Sequence, residues 1–269
     1  MAVQPRQASA VMLLRDSMQG MEVFMVRRVI QSDFMPDVYV FPGGSVSADD
    51  RAAEQAEGIC RPVLVDSVAD PEGRTALGNG TRAAAIRELF EEAGVLLAYR
   101  DGQILALTEQ DLPQFEGYRG AFHQRTGSLV ELARQEQLVL ATDRLAYFAH
   151  WITPEGMPKR FDTHFFLTTA PAQQQAAHDR LETSEGLWVR PADALERSQG
   201  GEFPLVFATL HQLRELAIFG SVAEALDFAV TQHVEVRVPV LVQEDGKNRV
   251  HLPGKEDDGW DVPEQMTRM

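Results

Sequence analysis

The stretch Arg87-Glu88-Leu89-Phe90-Glu91-Glu92-Ala93-Gly94-Val95 constrains this chain more than any other. Residues 82–93 contain neither Gly nor Pro, Thr81 is a good N-cap residue, and Gly94 stands where a left-handed stop is expected. The spacing predicts a helix of about three turns. At roughly 100° per residue, Ile86, Leu89, Phe90 and Ala93 fall on one side and Glu88, Glu91 and Glu92 on the other. A solvated acidic face is the ordinary reading of a charge run. It fits poorly here: Glu88 and Glu92 form a like-charge pair one turn apart, costing roughly 0.2–0.5 kcal/mol. No Lys stands four residues after any of the three acids to offset it. A divalent cation would. Hard cations such as Mg²⁺ take oxygen ligands and commonly bridge carboxylates to phosphate oxygens, so the cluster points to phosphate chemistry.

Upstream lies Phe41-Pro42-Gly43-Gly44, where Pro42 ends a short strand and two glycines let backbone approach a ligand. Taken with Arg87-Glu88-Leu89-x-Glu91-Glu92-x-Gly94-Val95, it resembles the two halves of the box that defines the Nudix hydrolases. Two departures stand out. The Glu usually found eight residues before the Arg is replaced by Asn79, and the glycines lie some thirty residues further upstream than normal, so a segment is inserted within the motif. Such an interrupted box is similar to the branch that includes the peroxisomal coenzyme A diphosphatases of animals. Ser32-Asp33-Phe34-Met35-Pro36, His150-Trp151-Ile152-Thr153-Pro154 and Arg160-Phe161-Asp162-Thr163-His164-Phe165-Phe166 match that branch too. The resemblance extends over most of residues 8–230.

The resemblance implies an α/β fold, a Nudix-type α/β/α sandwich with a mixed sheet. It also implies hydrolysis of a nucleoside diphosphate linked to another group, with Mg²⁺ or Mn²⁺ as cofactor. Glu91 and Glu92 are then metal ligands, Glu88 a further ligand or a base beside the metals, and the Gly44 carbonyl a metal contact. Arg87 orients the carboxylates through an ion pair. Glu182, six residues before Trp188, matches the late Glu that family members add as ligand or general base; an exposed loop acid is the alternative for Glu182 and the stronger reading for Glu185. Arg27, Arg28 and Arg160 are candidates for phosphate contacts, structural strand-end roles being the alternative for each. Coenzyme A or an acyl-CoA leads the substrates, with ADP-ribose and NADH open, and a non-catalytic nucleotide-binding protein is the reading that Asn79 favours. The separate signature of other coenzyme A-cleaving Nudix enzymes is missing before the glycines.

Composition narrows the partners. A formal net charge of −15 over 269 residues argues against non-specific nucleic-acid binding, which rests on Lys and Arg at phosphates. A small-molecule nucleotide is therefore the expected partner, met by metal or local positive charge. Cys60 is the single cysteine, so neither an internal disulfide nor a cysteine-based zinc site is expected. No run approaches the roughly 18 apolar residues of a spanning helix and no signal-like block opens the chain, so no membrane contact and a cytoplasmic location are expected. A homodimer is the one protein partner left open.

Along the chain, residues 1–242 read as one domain with an insertion at about 45–80, a helical addition at about 108–136, and C-terminal helices at about 204–230. The insertion holds turn formers around Val63-Leu64-Val65 and is expected to carry a short helix or wall the substrate site. Asp49 and Asp50 are read there as a solvated turn, or as a replacement for the missing Glu. Strands are expected at 8–15, 21–28, 38–41, 95–99, 145–152, 160–168, 187–189 and 234–242. Phe122, Leu129 and Leu132 are core candidates, and Ser221 is an N-cap. Residues 243–269 read as a polar, loose tail.

Overall fold

The structure is a computed structural model that describes residues 3–30, 35–63, 68–179 and 181–263. Of the sequence motifs, Ser32-Asp33-Phe34 and Leu64-Val65 lie outside the described residues. Strands β1 (Arg6–Ser17) and β2 (Gly20–Arg28) open the fold, followed by the short β3 (Tyr39–Val40) and β4 (Gly43–Ser45). The insertion begins with helix α1 (Ala48–Gln55), and the carboxylate helix is α2 (Thr81–Ala93). A small sheet of β5 (Ala98–Arg100), β6 (Gln103–Ile104) and β7 (Leu138–Leu140) flanks helices α3 (Leu112–His123) and α4 (Leu129–Gln135). Next come β8 (Ala146–Ile152), β9 (Phe161–Thr169) and β10 (Thr183–Val189). Helices α5 (Pro191–Gln199), α6 (Phe207–Leu216) and α7 (Val222–Thr231) precede β11 (Val236–Arg237), β12 (Val240–Glu244), β13 (Lys247–His251) and β14 (Trp260–Asp261).

The main sheet runs β10-β2-β1-β9-β8-β11, with β3 and β4 attached to β2 and β1. It is mixed: β1 is parallel to β9 and antiparallel to β2, while β11 is parallel to β8. Strand β1 is central, and residues 8–14 are buried without a break, as expected of a strand covered on both faces. Alternation along it feeds two cores. Val11 and Leu13 pack under α2 with Phe90, Phe122, Leu129 and Leu132. Met12 and Leu14 pack on the other face with Leu213, Leu216 and Ala225 of α6 and α7. The result is the expected α/β/α sandwich.

The start of α2 differs from expectation. Thr81 is the first helical residue and is fully buried; the N-cap is Gly80, at φ 82°, and its side-chain hydrogen is no acceptor. The acceptor comes from the insertion. Glu54 on α1 takes the backbone N–H groups of Gly78 and Gly80 on one carboxylate oxygen, both at 2.7 Å, and those of Arg82 and Ala83 on the other, at 2.9 and 3.0 Å. A carboxylate on the positive end of α2 satisfies donors that a helix start otherwise leaves orphaned. At the far end Gly94 is left-handed as expected.

Residues 244–263 form strands where a loose tail is expected. Strands β12 and β13 form a hairpin through Asp245 and Gly246, both at positive φ, and β14 adds a third strand. Val250 and Val262 are buried in the α6-side core, which is why the described part of this polar segment holds its place. The expected 234–242 strand is split into β11 and β12, which belong to different sheets.

Glu54→Ala should lower the unfolding free energy by about 3 kcal/mol, since four N–H groups lose a charged acceptor. Glu54→Gln, which keeps one acceptor oxygen, should lose less. Urea denaturation measures both; a loss below about 0.5 kcal/mol in the Ala variant would show that α2 finds its capping elsewhere.

Candidate active site

Helix α2 turns Ile86, Leu89, Phe90 and Ala93 into the core and aims its acids at a cleft of about 770 Å³. Glu88, Glu91, Glu92, Arg87, Gly43, Gly44, Arg28 and Glu182 all line that cleft. Strand β4 brings the glycines against the helix. A Cβ on Gly44 would overlap the Glu88 carboxylate, so only glycine lets backbone and carboxylate meet there. One residue earlier, the Gly43 N–H donates to Glu92 Oε2 at 2.9 Å. The two halves of the interrupted box are thus one site in space.

Arg87 ties the site together. Its Nη1 donates to Glu88 Oε1 at 2.8 Å and to Glu91 Oε1 at 2.9 Å. Nε and Nη2 form a two-pronged pair with Asp50 at 2.9 and 3.0 Å, and Nη2 also donates to the Ser45 carbonyl. The expectation that Arg87 orients carboxylates has this geometry. The solvated-turn reading of Asp49 and Asp50 does not hold: Asp50 is fully buried on Arg87, and Asp49 accepts from Ser128 Oγ and the Leu129 N–H at the start of α4.

Negative charge exceeds what these groups neutralise. Burial pushes Glu88 up to about 7, with Arg87 opposing and Glu91 adding to the rise. Burial likewise holds Glu92 well above the usual carboxylate range, the Glu88 charge adding and Arg28 opposing. Glu91 is raised by burial against the pull of Arg87. For Arg87, burial disfavours its charge, but Glu88, Asp50 and Glu91 more than reverse that and raise it. Buried carboxylates crowded in this way bind hard divalent cations well. Among the residues present, Glu88, Glu91, Glu92 and the Gly44 carbonyl fit that role.

The other expected residues divide. Arg28 lies in the cleft, close enough to Glu92 to favour its ionised form. Arg27 does not join it: its Nε pairs with Asp37 at 2.8 Å and its guanidinium sits over Tyr39. Arg160 is also elsewhere, buried and donating to the carbonyls of Thr153 and Val3. Phosphate contact by Arg27 and Arg160 is therefore not what this geometry supports. Glu182 faces the cleft from the loop before β10, whereas Glu185, read as an exposed acid, is half-buried and accepts from the Tyr39 hydroxyl at 2.6 Å. Asn79 lies outside the cleft, its amide donating to the Arg74 carbonyl.

Three contributions escape the sequence reading. Asp179 accepts from the N–H groups of Leu181, Glu182 and Thr183 and from the Thr183 hydroxyl, shaping the loop that presents Glu182. His123, at the end of α3, lines the cleft with Nε2 3.7 Å from Asp179 Oδ2. The third is an apolar wall. Beyond the carboxylates the cleft runs between Trp151 and Phe165 of the sheet, Phe207 of α6, Val250 and Trp260 of the C-terminal strands, and Val262 just after them. Only the Asp-Gly pair at 245–246, a two-residue hairpin signal, announces those strands in sequence.

Residues 61–216 match the sequence family described as the NUDT19 Nudix domain. The chain is 28% identical over 268 residues to acyl-coenzyme A diphosphatase NUDT19 of Xenopus laevis, covering 87% of this chain and 70% of that one. To the Homo sapiens protein of the same name it is 28% identical over 276 residues, covering 88% and 72%. A NUDIX hydrolase from Alicyclobacillus acidocaldarius is similar in structure, with a TM-score of 0.68 and 25% identity over 84% of this chain and 96% of that one.

The buried acids make stability depend on pH in a defined direction. The folded protein holds the Glu88 proton up to about pH 7, against an ordinary value of 4.5. The stability linked to that proton is fully present below the lower value and is lost as pH rises through the upper one. Urea midpoints in EDTA should therefore fall between pH 5 and pH 8, Glu88→Gln should flatten that fall, and Mg²⁺ should restore the wild type at pH 8 but not the variant. A flat metal-free profile for the wild type would contradict the electrostatic account.

Proposed function

Because the chain belongs to the NUDT19 Nudix-domain family and is a Nudix hydrolase, we propose that it cleaves the diphosphate linkage of coenzyme A or an acyl-CoA. The observation that carries this reading is the shape of one cleft. Under-neutralised carboxylates meet a glycine turn at one end, and an apolar wall continues from them. A nucleoside diphosphate joined to a long, partly apolar arm fits both parts. Names of relatives support coenzyme A over ADP-ribose or NADH.

In this reading Glu88, Glu91, Glu92 and the Gly44 carbonyl hold Mg²⁺ or Mn²⁺, the ions that all-oxygen sites suit. When bound, such ions neutralise phosphate charge and lower the pKa of a coordinated water. The chain's own groups do the rest. Arg87, clamped by Asp50, fixes the orientation of Glu88 and Glu91, and the Gly43 N–H fixes Glu92. Arg28 offers positive charge to a phosphate, and Glu182, on a loop shaped by Asp179, accepts a proton from the attacking water. The non-catalytic alternative loses its motive, since Asn79 lies outside the cleft and Glu54 supplies the carboxylate that α2 needs at its start. Among the described residues no helix is long and apolar enough to cross a membrane. A cytoplasmic enzyme acting on a small-molecule nucleotide is part of the same proposal.

Incubation with coenzyme A, an acyl-CoA, ADP-ribose and NADH in Mg²⁺ or Mn²⁺, read by mass spectrometry, should yield 3′,5′-ADP with 4′-phosphopantetheine or its acyl form. AMP from ADP-ribose or NADH, with the coenzyme A compounds intact, would overturn the substrate and leave the site standing. Glu91→Gln and Glu92→Gln should stay folded by circular dichroism and lose about two or more powers of ten in turnover. Near-full activity at saturating metal in either variant would remove these residues from the metal site.

A further inference from the structure

A second group of ligating side chains lies behind the cleft, unused by the proposed reaction. His150 on β8 and His164 on β9 are directly paired across the two strands, and Asp162 stands two residues before His164. The imidazole rings stack with centroids 4.3 Å apart. Asp162 Oδ1 hydrogen-bonds to His150 Nε2 and lies 3.9 Å from His164 Nε2. One ligand atom from each of the three residues falls within 4.8 Å of the other two.

Strand alternation separates this group from the carboxylates. His150 and His164 share a sheet face with Phe166, which packs in the core under α2 together with Tyr147. Trp151 and Phe165 point the other way and line the cleft. None of His150, Asp162 and His164 is a cleft residue.

Hydrogen bonding around the group is incomplete. Buried polar atoms are nearly always partnered. Here, among the described residues, His150 Nδ1 has no hydrogen-bond partner. His164 has a further feature of a metal-binding histidine, because its Nδ1 is held by the Tyr147 hydroxyl at 3.1 Å while Nε2 faces the acid. Both histidines are at most 4% exposed, but the Asp162 side chain is 28% exposed and opens a way in from solvent.

We propose that His150, Asp162 and His164 form a second cation site that takes a borderline divalent ion such as Zn²⁺ and fastens β8 to β9. Two imidazoles and one carboxylate match Zn²⁺ chemistry and are a poor set for Mg²⁺, which demands oxygen ligands. The bridge is structural: it joins the two strands whose opposite face carries Trp151 and Phe165 into the cleft. It stands independently of the substrate assignment.

The test titrates Co²⁺, and then Zn²⁺, into the full-length protein in excess Mg²⁺. One tight equivalent of Co²⁺ should appear with the intense visible absorption of a four- or five-coordinate nitrogen-containing site; Zn²⁺ should displace it and raise the melting temperature. Asp162→Asn and His164→Asn should each weaken Co²⁺ binding by about 100-fold or more. The Glu91→Gln, Glu92→Gln double variant should bind it as the wild type does. Asp162 is partly exposed, so its variant reports even if the His164 variant fails to fold. Only the weak absorption of octahedral Co²⁺, no tight equivalent, or an equivalent that survives Asp162→Asn would leave these residues a buried hydrogen-bond network and overturn the proposal.

Discussion

The site depends on a guanidinium that is shared between two parties. Arg87 spends one edge on Glu88 and Glu91 and the other on Asp50, all within 3.0 Å. Without Asp50, Arg87 would be free to neutralise the helix acids more completely, and their need for a cation would fall. With it, the charge of Arg87 is partly satisfied from behind, and the glutamates stay oriented but under-compensated. Breaking a buried pair of this kind by removing one partner costs about 3–5 kcal/mol, so the arrangement is stiff as well as charged. Asp50 thus belongs to the site although it touches the acids only through Arg87.

Asp50 and Glu54 both come from α1, the first part of the insertion. An insertion within a catalytic motif would ordinarily threaten it, because a long loop must be ordered next to the reacting groups. Here the inserted segment carries the carboxylate that caps α2 and the one that holds Arg87, one turn apart on a single helix. Losing the acid at Asn79 is therefore no loss at the helix start, where Glu54 makes four hydrogen bonds. The opposite wall follows another rule. Val250, Trp260 and Val262 add shape and apolar surface without charge. In the proposed reaction the chemistry falls to the α2 side, and substrate fit to the sheet and the C-terminal segment.

What could be read from the sequence was what local rules govern. The α2 face, the Gly94 stop and the Ser221 cap are set within a turn or two, and the structure has all of them; Phe122, Leu129 and Leu132 are core residues as expected, on two helices where one helical stretch is expected. The carboxylate cluster and the glycine turn also met as expected. Arg27 and Arg160 could not be judged, because a guanidinium at a strand end reaches either a ligand or a nearby carbonyl, and only tertiary structure tells which. Asp50 and Glu54 were hidden for the same reason, since Arg87, the site partner of Asp50, lies 37 residues on and the partners of Glu54 lie 24 or more residues on. Strands β13 and β14 were missed because an acidic composition outweighed a short hairpin signal.

The parallel pairing of β1 with β9 has a consequence for how the molecule is made. Arg6 pairs with Phe161 and Leu14 with Thr169, so the central seam of the sheet joins the first strand to one synthesised more than half a chain later. Until β9 has left the ribosome, β1 has a row of N–H and C=O groups without their sheet partner, on a strand whose residues 8–14 are all buried in the fold. Pairings this distant in sequence form slowly and leave the nascent chain open to aggregation. The contacts that orient the acids of α2 lie within residues 43–92, whereas the seam of the sheet beneath them needs residues 161–169.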